Sequence, residues 1–174
     1  MNGRGAEDLR RVQEDDERFM RRAFELARLG DRRPEFGEIG CVIVRDGAII
    51  GEGCNEARAR NDPTAHAEIV AIRRAAGALE TTELRGATLY STLQPCGMCT
   101  MASIWARIGR VVYGAGRGDV HECYFEGRHL NTIDFIGDAF REDLEVTGGV
   151  LKDECATLYY RPWDEVPEED VTNV

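Results

Sequence analysis

Two short motifs, thirty residues apart, constrain this chain more than any other feature. The first places His66 two residues before Glu68, and the second is Pro95-Cys96-x-x-Cys99. One histidine and two cysteines suit zinc, and a Cys-x-x-Cys pair in one helical turn brings both sulfurs to about 2.3 Å from one ion. Three protein ligands leave the fourth tetrahedral position to water or hydroxide, as in catalytic zinc sites. The motifs therefore predict one zinc per chain, with Glu68 as the group that moves protons beside it.

Two other interpretations of the cysteine pair stay open from these residues alone. A Cys-x-x-Cys pair is also typical of redox sites. A structural zinc site would need a fourth protein ligand, and His121, Cys123 and His129 are available for that role. The upstream histidine and glutamate favour the catalytic interpretation, since neither alternative needs that carboxylate.

Length and composition exclude several classes of protein. The 174 residues are enough for one domain with a substantial core, and a hydrophobic content of 43% excludes a disordered chain. No apolar run approaches the ~20 residues of a membrane span, and no N-terminal signal pattern is present, so we expect a cytoplasmic location and no membrane partner. The net charge of −10 argues against nucleic acid as a partner, because phosphates are neutralised by clustered lysine and arginine.

We expect a flexible N-terminus over residues 1–13, one zinc-dependent domain over 14–161 and an acidic tail over 162–174. Apolar periodicity and turn residues predict the elements of the domain in order: a helix (14–29), a hairpin (40–45 and 48–53), a helix from about 66 to 77, a strand (87–92), a helix (96–107), a strand (110–114), an irregular loop (116–133), a strand (144–147) and a helix (150–160). Alternating helices and strands imply an α/β fold with a largely parallel sheet and helices on both faces.

In this order of elements, both motifs lie where a helix begins. The free N–H groups and partial positive charge of a helix start favour the thiolate forms of Cys96 and Cys99. Zinc lowers the pKa of its water to near 7, and the resulting hydroxide can attack an amidine-like carbon, such as C6 of a purine or C4 of a pyrimidine. Glu68 would carry the proton to the ring nitrogen and then to the leaving amine. The predicted reaction is hydrolytic deamination.

The residues from Asn55 to Glu68, with Asn61-Asp62-Pro63-Thr64 between them, resemble the cytidine deaminase-like superfamily. The similarity is strongest to its purine branch, the bacterial guanine deaminases and the tRNA adenosine deaminases, and it runs from about residue 19 to 160. The resemblance implies a three-layer α/β/α fold around a five-stranded mixed sheet. It also implies one zinc per subunit and a homodimer.

Different segments resemble different members of that branch. Residues 105–107 are similar to the guanine deaminases, whereas residues 107–114 and 144–156 are similar to the tRNA enzymes. The tRNA enzymes carry basic residues near the C-terminus, but here residues 164–170 are acidic. We therefore expect a small aminated heterocycle, purine-type and guanine-like, as the substrate. A tRNA adenosine deaminase is the first alternative, and a catalytically silent zinc-bound partner subunit is the second, against which Glu68 counts.

The resemblance also implies substrate contacts near the zinc. The asparagine that matches Asn55 hydrogen-bonds the base, and a turn asparagine is the alternative role. The residue that matches Ile39 lies beneath the base, although Glu38 replaces the proline that usually precedes it. Ala67, between the ligand and the catalytic glutamate, completes this part of the predicted pocket.

Further contacts are predicted at the edges of the pocket. Trp105 is either a wall of the pocket or a core residue. Glu126 is the candidate carboxylate for the guanine edge, with Asp119 and Glu122 as alternatives. In guanine deaminases an aromatic C-terminal segment closes the partner's site, and the aromatic residues here match that segment poorly: Tyr159, Tyr160 and Trp163.

Overall fold

The computed structural model describes residues 3–31, 37–125 and 143–168, together with residues 134 and 136. The strands are β1 (Gly37–Arg45), β2 (Ala48–Asn55), β3 (Thr88–Leu93), β4 (Arg110–Ala115) and β5 (Glu145–Gly148). The helices are α1 (Gly3–Ala27), α2 (Ala57–Arg60), α3 (Ala67–Ala78), α4 (Gly97–Trp105) and α5 (Lys152–Cys155). Short 3₁₀ turns occupy Arg28–Asp31, Glu122–Tyr124 and Ala156–Leu158. Within these described ranges, every helix is too short or too polar to cross a membrane.

The five strands form one mixed sheet in the order β2-β1-β3-β4-β5. β1 pairs antiparallel with both β2 and β3, whereas β3 with β4 and β4 with β5 pair in parallel. The hairpin places β1 between β2 and β3, so α3 crosses over β1 on its way from β2 to β3. The predicted five-stranded mixed sheet is confirmed. β2, β3, β4 and β5 run in one direction and β1 opposes them, so the sheet is largely parallel in strand direction, as expected, although β1 pairs antiparallel with both of its neighbours.

Helices cover both faces of the sheet and produce the predicted three layers. On one face, the described core joins α1 to the sheet and to the end of the chain, through Phe19, Met20, Ala23, Val42, Tyr90, Val112, Cys155 and Tyr159. On the other face, the core joins α3 to the sheet, through Ala67, Ala71, Ala75, Ile43, Leu89 and Val111. The alternation of buried side chains along β1 and β3 therefore supplies two separate cores.

A buried ion pair fixes α1 across the sheet. Both carboxylate oxygens of Asp16 accept hydrogen bonds from the Arg110 guanidinium on β4, at 2.6 and 2.7 Å. The Tyr90 hydroxyl on β3 donates to the same carboxylate at 2.9 Å, and Arg110 also donates to Thr147 on β5 at 3.1 Å. A bidentate pair with further hydrogen bonds meets the condition under which a buried charge is tolerated.

The two ends of the chain differ from the sequence-based expectation. α1 begins at Gly3, not near residue 14, because the early residues are good helix formers whose polar surface carries no apolar periodicity. Leu9 is accordingly 73% exposed. The last helix is shorter than predicted, since the backbone becomes extended at Tyr159 and turns that ring into the core. The limits of the domain at residues 14 and 161 stay a prediction.

Candidate metal centre and active site

The starts of α3 and α4 meet at one edge of the sheet. His66 and Cys96 are the residues immediately before these helices, and both have an extended backbone. α3 follows β2 and α4 follows β3, so each helix starts beyond the carboxyl end of a strand. Consecutive crossovers on a sheet bring such helix starts together, and ligand sites of α/β proteins lie at this edge. The topology thereby joins two motifs that are far apart in the chain.

The three predicted ligands form one cluster. The Nδ1 atom of His66 lies 3.6 Å from the Cys96 sulfur and 3.7 Å from the Cys99 sulfur. A tetrahedral zinc with bonds of about 2.0 Å to nitrogen and 2.3 Å to sulfur would separate these atoms by about 3.5 Å. Among the described residues, the histidine, cysteine and acidic side chains whose ligand atoms could together hold one metal ion are His66, Cys96 and Cys99. The donor set therefore fits zinc.

The cluster argues against a fourth protein ligand from the loop after β4. His121 uses its Nδ1 atom to accept a hydrogen bond from the Cys123 backbone N–H at 3.1 Å, which caps the 3₁₀ turn there. Neither residue belongs to the described ligand cluster, and His129 lies outside the described residues. Both sulfurs of the Cys-x-x-Cys pair face an imidazole nitrogen, as a metal site requires and a redox pair does not.

The two cysteines hold their protons differently in the metal-free site. Hydrogen bonding from Cys99, together with that from His66, lowers the pKa of Cys96 to about 4. Donation to Cys96, together with burial, raises the pKa of Cys99 well above its usual value. One thiolate is thus preformed and one proton remains on the pair. Zinc requires both sulfurs as thiolates, so binding must displace that proton.

Glu68 lies in the first turn of α3 with its carboxylate almost completely buried, at 3% exposure. One oxygen accepts a hydrogen bond from the Ser91 hydroxyl at 3.2 Å, and the other lies 3.5 Å from the Cys99 sulfur. Burial, followed by the negative charge of Cys96, raises the pKa of Glu68. A carboxylate whose pKa is raised holds a proton more readily and can return it, which is the requirement for an acid–base group.

A network of polar contacts shapes the loop that carries His66 into the site. Glu56 is buried and pairs with Arg60 and with Arg74 of α3, the latter at 2.7 Å. Asp62 accepts hydrogen bonds from the Thr64 N–H and hydroxyl at 2.8 and 2.6 Å, which forms a tight Asx turn. These carboxylates fix residues 56–65 against α3, so the histidine enters the site from a rigid turn.

Close packing of β2 on α3 sets the depth of the helix. A Cβ atom built at Gly53 would lie 2.3 Å from the Ala67 carbonyl oxygen and 2.8 Å from the Ala71 nitrogen. Such distances exclude any side chain without movement of the helix backbone. The glycine therefore allows α3 to approach the sheet closely enough to place Glu68 beside Ser91.

Three of the predicted substrate contacts lie on β1, at the end of β2 and in the first turn of α3. Asn55 ends β2, and its Oδ1 atom accepts a hydrogen bond from the Ala57 N–H at 3.1 Å. Asn55 therefore has the alternative role, that of a turn residue. Contact of its amide group with a base stays a prediction. Ile39 is half-buried between the two cores, and Ala67 is fully buried in the first turn of α3. Their contact with substrate also stays a prediction.

The remaining predicted contacts are Trp105 and the candidate carboxylates of the loop after β4. Trp105 is the last residue of α4, at the end away from Cys96, and is 77% exposed. Its alternative assignment as a core residue is wrong, because the helix turns it toward solvent. Glu126 lies outside the described residues. Of its alternatives, Asp119 accepts a hydrogen bond from the Gly116 N–H at 2.9 Å and pairs with Lys152, whereas Glu122 is exposed.

Sequence reasoning missed Ser91, the hydroxyl that contacts Glu68. Its position on β3 carried a usable signal, since alternation along the strand places residues 89 and 91 on the same face as α3. The sequence pattern does not say which helix packs on which face of β3. The side of the sheet that Ser91 faces is therefore known only from the tertiary structure.

Comparison with known proteins places this site in a family. Residues 13–115 match the cytidine and deoxycytidylate deaminase zinc-binding region. This match covers more than half of the chain and includes both motifs. The protein therefore belongs to the cytidine and deoxycytidylate deaminase family, and it is a zinc-dependent deaminase, a hydrolase that acts on a C–N bond.

Its relatives include enzymes with different substrates. The tRNA-specific adenosine deaminase of Haemophilus influenzae is 44% identical over 145 residues, which cover 81% of this chain and 79% of that protein. The guanine deaminase of Bacillus subtilis is 46% identical over 110 residues, which cover 63% and 70%. A solved structure from studies of A-to-I editing by tRNA:A34 deaminases superposes with a TM-score of 0.69 at 37% identity, over 81% of this chain and 98% of that one. The superposition supports the predicted cytidine deaminase-like fold.

Proposed function

We propose that this deaminase removes the exocyclic amino group of a purine-type base by hydrolysis. The observation that carries the proposal is the buried Glu68 carboxylate beside the cluster of His66, Cys96 and Cys99. When bound, zinc supplies a Lewis acid that lowers the pKa of a water at the site to near 7. The rest of the chemistry is proton movement, and the geometry assigns that to Glu68.

Glu68 takes one proton from the attacking water and delivers it to the ring nitrogen next to the attacked carbon. It then takes the second proton of the former water from the new hydroxyl group and gives it to the exocyclic amine as the C–N bond breaks. The water oxygen stays on the ring as a carbonyl, and ammonia leaves. Burial raises the pKa of Glu68, which favours a carboxyl group that accepts each proton before it passes the proton on.

Adenosine in a tRNA is the first substrate to test. The tRNA-specific relative aligns over 81% of this chain, against 63% for the guanine deaminase. Of the aromatic residues considered for closing a partner's site, Tyr159 is buried in the core of its own chain, where its hydroxyl bonds to Thr92 at 2.7 Å, whereas Trp163 is 80% exposed. The extent of the alignment is therefore the observation that puts the tRNA substrate first. To put adenosine in tRNA first reverses the sequence-based preference for a small guanine-like base.

A free aminopurine is the second candidate, and charge is the observation that favours it. The chain carries a net charge of −10. Around the His66 loop, three guanidinium groups are paired with carboxylates, since Arg60 and Arg74 pair with Glu56 and Arg73 pairs with Asp62. A phosphate backbone would have to compete with these carboxylates.

The experiment is ammonia release by zinc-loaded protein from a panel of substrates. The panel contains a tRNA anticodon stem-loop, guanine, adenine, cytosine, their nucleosides, and aminated triazines and pterins. Turnover of one substrate that Glu68→Ala abolishes, while the exposed-residue control Glu145→Ala retains it, would support the proposal. Inosine formed in the stem-loop would select the tRNA substrate. Zinc-loaded, folded protein that turns over none of these compounds would contradict the proposal and favour the silent-partner alternative.

A further inference from the structure

The hydroxyl of Ser91 faces the catalytic carboxylate from the centre of the sheet. Ser91 is completely buried, and its Oγ atom donates to Glu68 Oε1 at 3.2 Å. Its strand is held on both sides, because Ser91 pairs with Cys41 of β1 and with Tyr113 of β4. The donor is therefore fixed by the sheet, whereas the acceptor belongs to the first turn of a helix.

The second oxygen of Glu68, Oε2, lies 3.5 Å from the Cys99 sulfur. A cysteine binds zinc as a thiolate and has no hydrogen to donate. Ser91 is not one of the zinc ligands, so its hydrogen bond to Oε1 does not depend on the metal. Ser91 therefore holds one carboxylate oxygen and leaves the other to exchange protons.

We propose that Ser91 is a positioning residue that orients the Glu68 carboxylate for proton transfer. This inference rests on the proposed function, since it assigns Ser91 a role in the same reaction. Ser91 acts through Glu68, to which its hydroxyl donates, and it is not one of the zinc ligands. A hydrogen bond to a charged group contributes enough to change a rate by ~10-fold to 100-fold when it holds an acid–base group in place.

The kinetic test compares three variants on the substrate that the panel identifies. Ser91→Ala should lower kcat by ~10-fold to 100-fold, with KM changed less than about twofold and zinc content still near one per chain. Ser91→Thr keeps a hydroxyl on the strand and should recover most of the lost kcat. The matched control is Thr92→Val, which removes the neighbouring buried hydroxyl, bonded to Tyr159 and the Gly40 N–H and not to Glu68. It should lower stability and leave kcat within about twofold.

A second measurement needs no substrate. Urea unfolding of the metal-free wild type, Ser91→Ala, Glu68→Ala and the double variant forms a double-mutant cycle, and the two changes should be non-additive if the side chains interact. Additive effects would overturn the inference, as would an unchanged kcat in Ser91→Ala or an equal loss of kcat in Thr92→Val. If the wild type deaminates nothing, the proposed function fails, and the cycle still decides whether Ser91 holds Glu68.

Discussion

At the scale of single residues, the two thiols of the Cys-x-x-Cys pair are chemically different although their surroundings overlap. Cys96 precedes α4 and Cys99 lies buried in its first turn. The sequence predicted both as ligands, because spacing in one helical turn suffices for that conclusion. It could not assign the remaining proton, since that depends on which thiol donates to which neighbour. Only the folded arrangement of His66, Glu68 and the pair decides this.

Zinc binding near pH 7.5 should release about one proton per ion. Cys96, whose pKa is lowered to about 4, is already a thiolate at this pH, whereas Cys99, whose pKa is raised, still carries its proton. The apparent zinc affinity should therefore rise about tenfold per pH unit between pH 7 and 8. Calorimetry in buffers of different ionisation enthalpy measures the released proton. Release of two protons, or of none, would contradict the assignment.

The same ligand set can be tested by substitution. Cys99→Ser should leave the purified protein with little zinc, because a serine hydroxyl is a poor zinc ligand. Cys123→Ser, a change at the cysteine once available as a fourth ligand, should keep about one zinc per chain. Metal analysis by mass spectrometry gives both values. Loss of zinc from the Cys123 variant would revive the structural-site interpretation.

At the scale of secondary-structure elements, the site depends on how closely α3 lies on the sheet. The periodicity of apolar residues predicted the existence of α3, and its start at residue 67 agrees with the expected position. Its distance from β2 was not predictable, because that depends on glycines whose neighbours are distant in the chain. The early start of α1 was also not predictable, because its first turns are polar and have no apolar face to detect.

Gly53→Ala should therefore damage both stability and the site. The new Cβ would meet the backbone of α3 at 2.3 Å, so the helix must shift, at ~1–3 kcal/mol of unfolding free energy. Zinc affinity should fall with it. Gly77→Ala, in the helix against which Gly53 packs, is the control, since a Cβ there meets nothing within 4 Å, and it should stabilise the protein by ~0.5–1 kcal/mol. Urea titration of both variants tests the pair, and equal effects would argue against close packing.

The ion pair between Asp16 of α1 and Arg110 of β4 gives another prediction at the scale of elements. Asp16→Ala leaves the Arg110 guanidinium without its bidentate partner in a largely buried position, which should cost ~3–5 kcal/mol of unfolding free energy. The neighbouring change Asp15→Ala removes only an exposed pair with Arg18 and should cost less than ~1 kcal/mol. Denaturant unfolding compares the two. A similar small effect for both would show that the ion pair does not hold α1.

At the scale of the whole molecule, the net charge and the sequence similarity favour different substrates. The net charge of −10 opposes a polyanionic partner, whereas the alignment with the tRNA-specific enzyme covers most of the chain. Composition was a weak guide here, because a local arrangement of charges can differ from the average over the surface. The expected homodimer stays a prediction, which sedimentation of the zinc-loaded protein would check.

Salt dependence separates the two substrates. If the enzyme binds a tRNA stem-loop through even three phosphates, kcat/KM on that RNA should fall about tenfold or more between 50 and 200 mM salt, because counterion release is lost. Turnover of a neutral free base should change little over the same range. Steady-state assays at several salt concentrations measure both slopes. A flat slope on the stem-loop would place recognition in the base alone.

The sequence by itself determined the chemistry of this protein. Ligand identity, the Cys-x-x-Cys spacing and the glutamate two residues after the histidine are local in the chain, and each constrains the reaction through the properties of its own side chain. The tertiary structure alone decided that the two motifs share one edge of the sheet, that Cys99 keeps the proton and that Ser91 faces Glu68. These facts join residues 23 to 33 positions apart, whose distances depend on strand order and on the packing of α3. No local pattern encodes such distances.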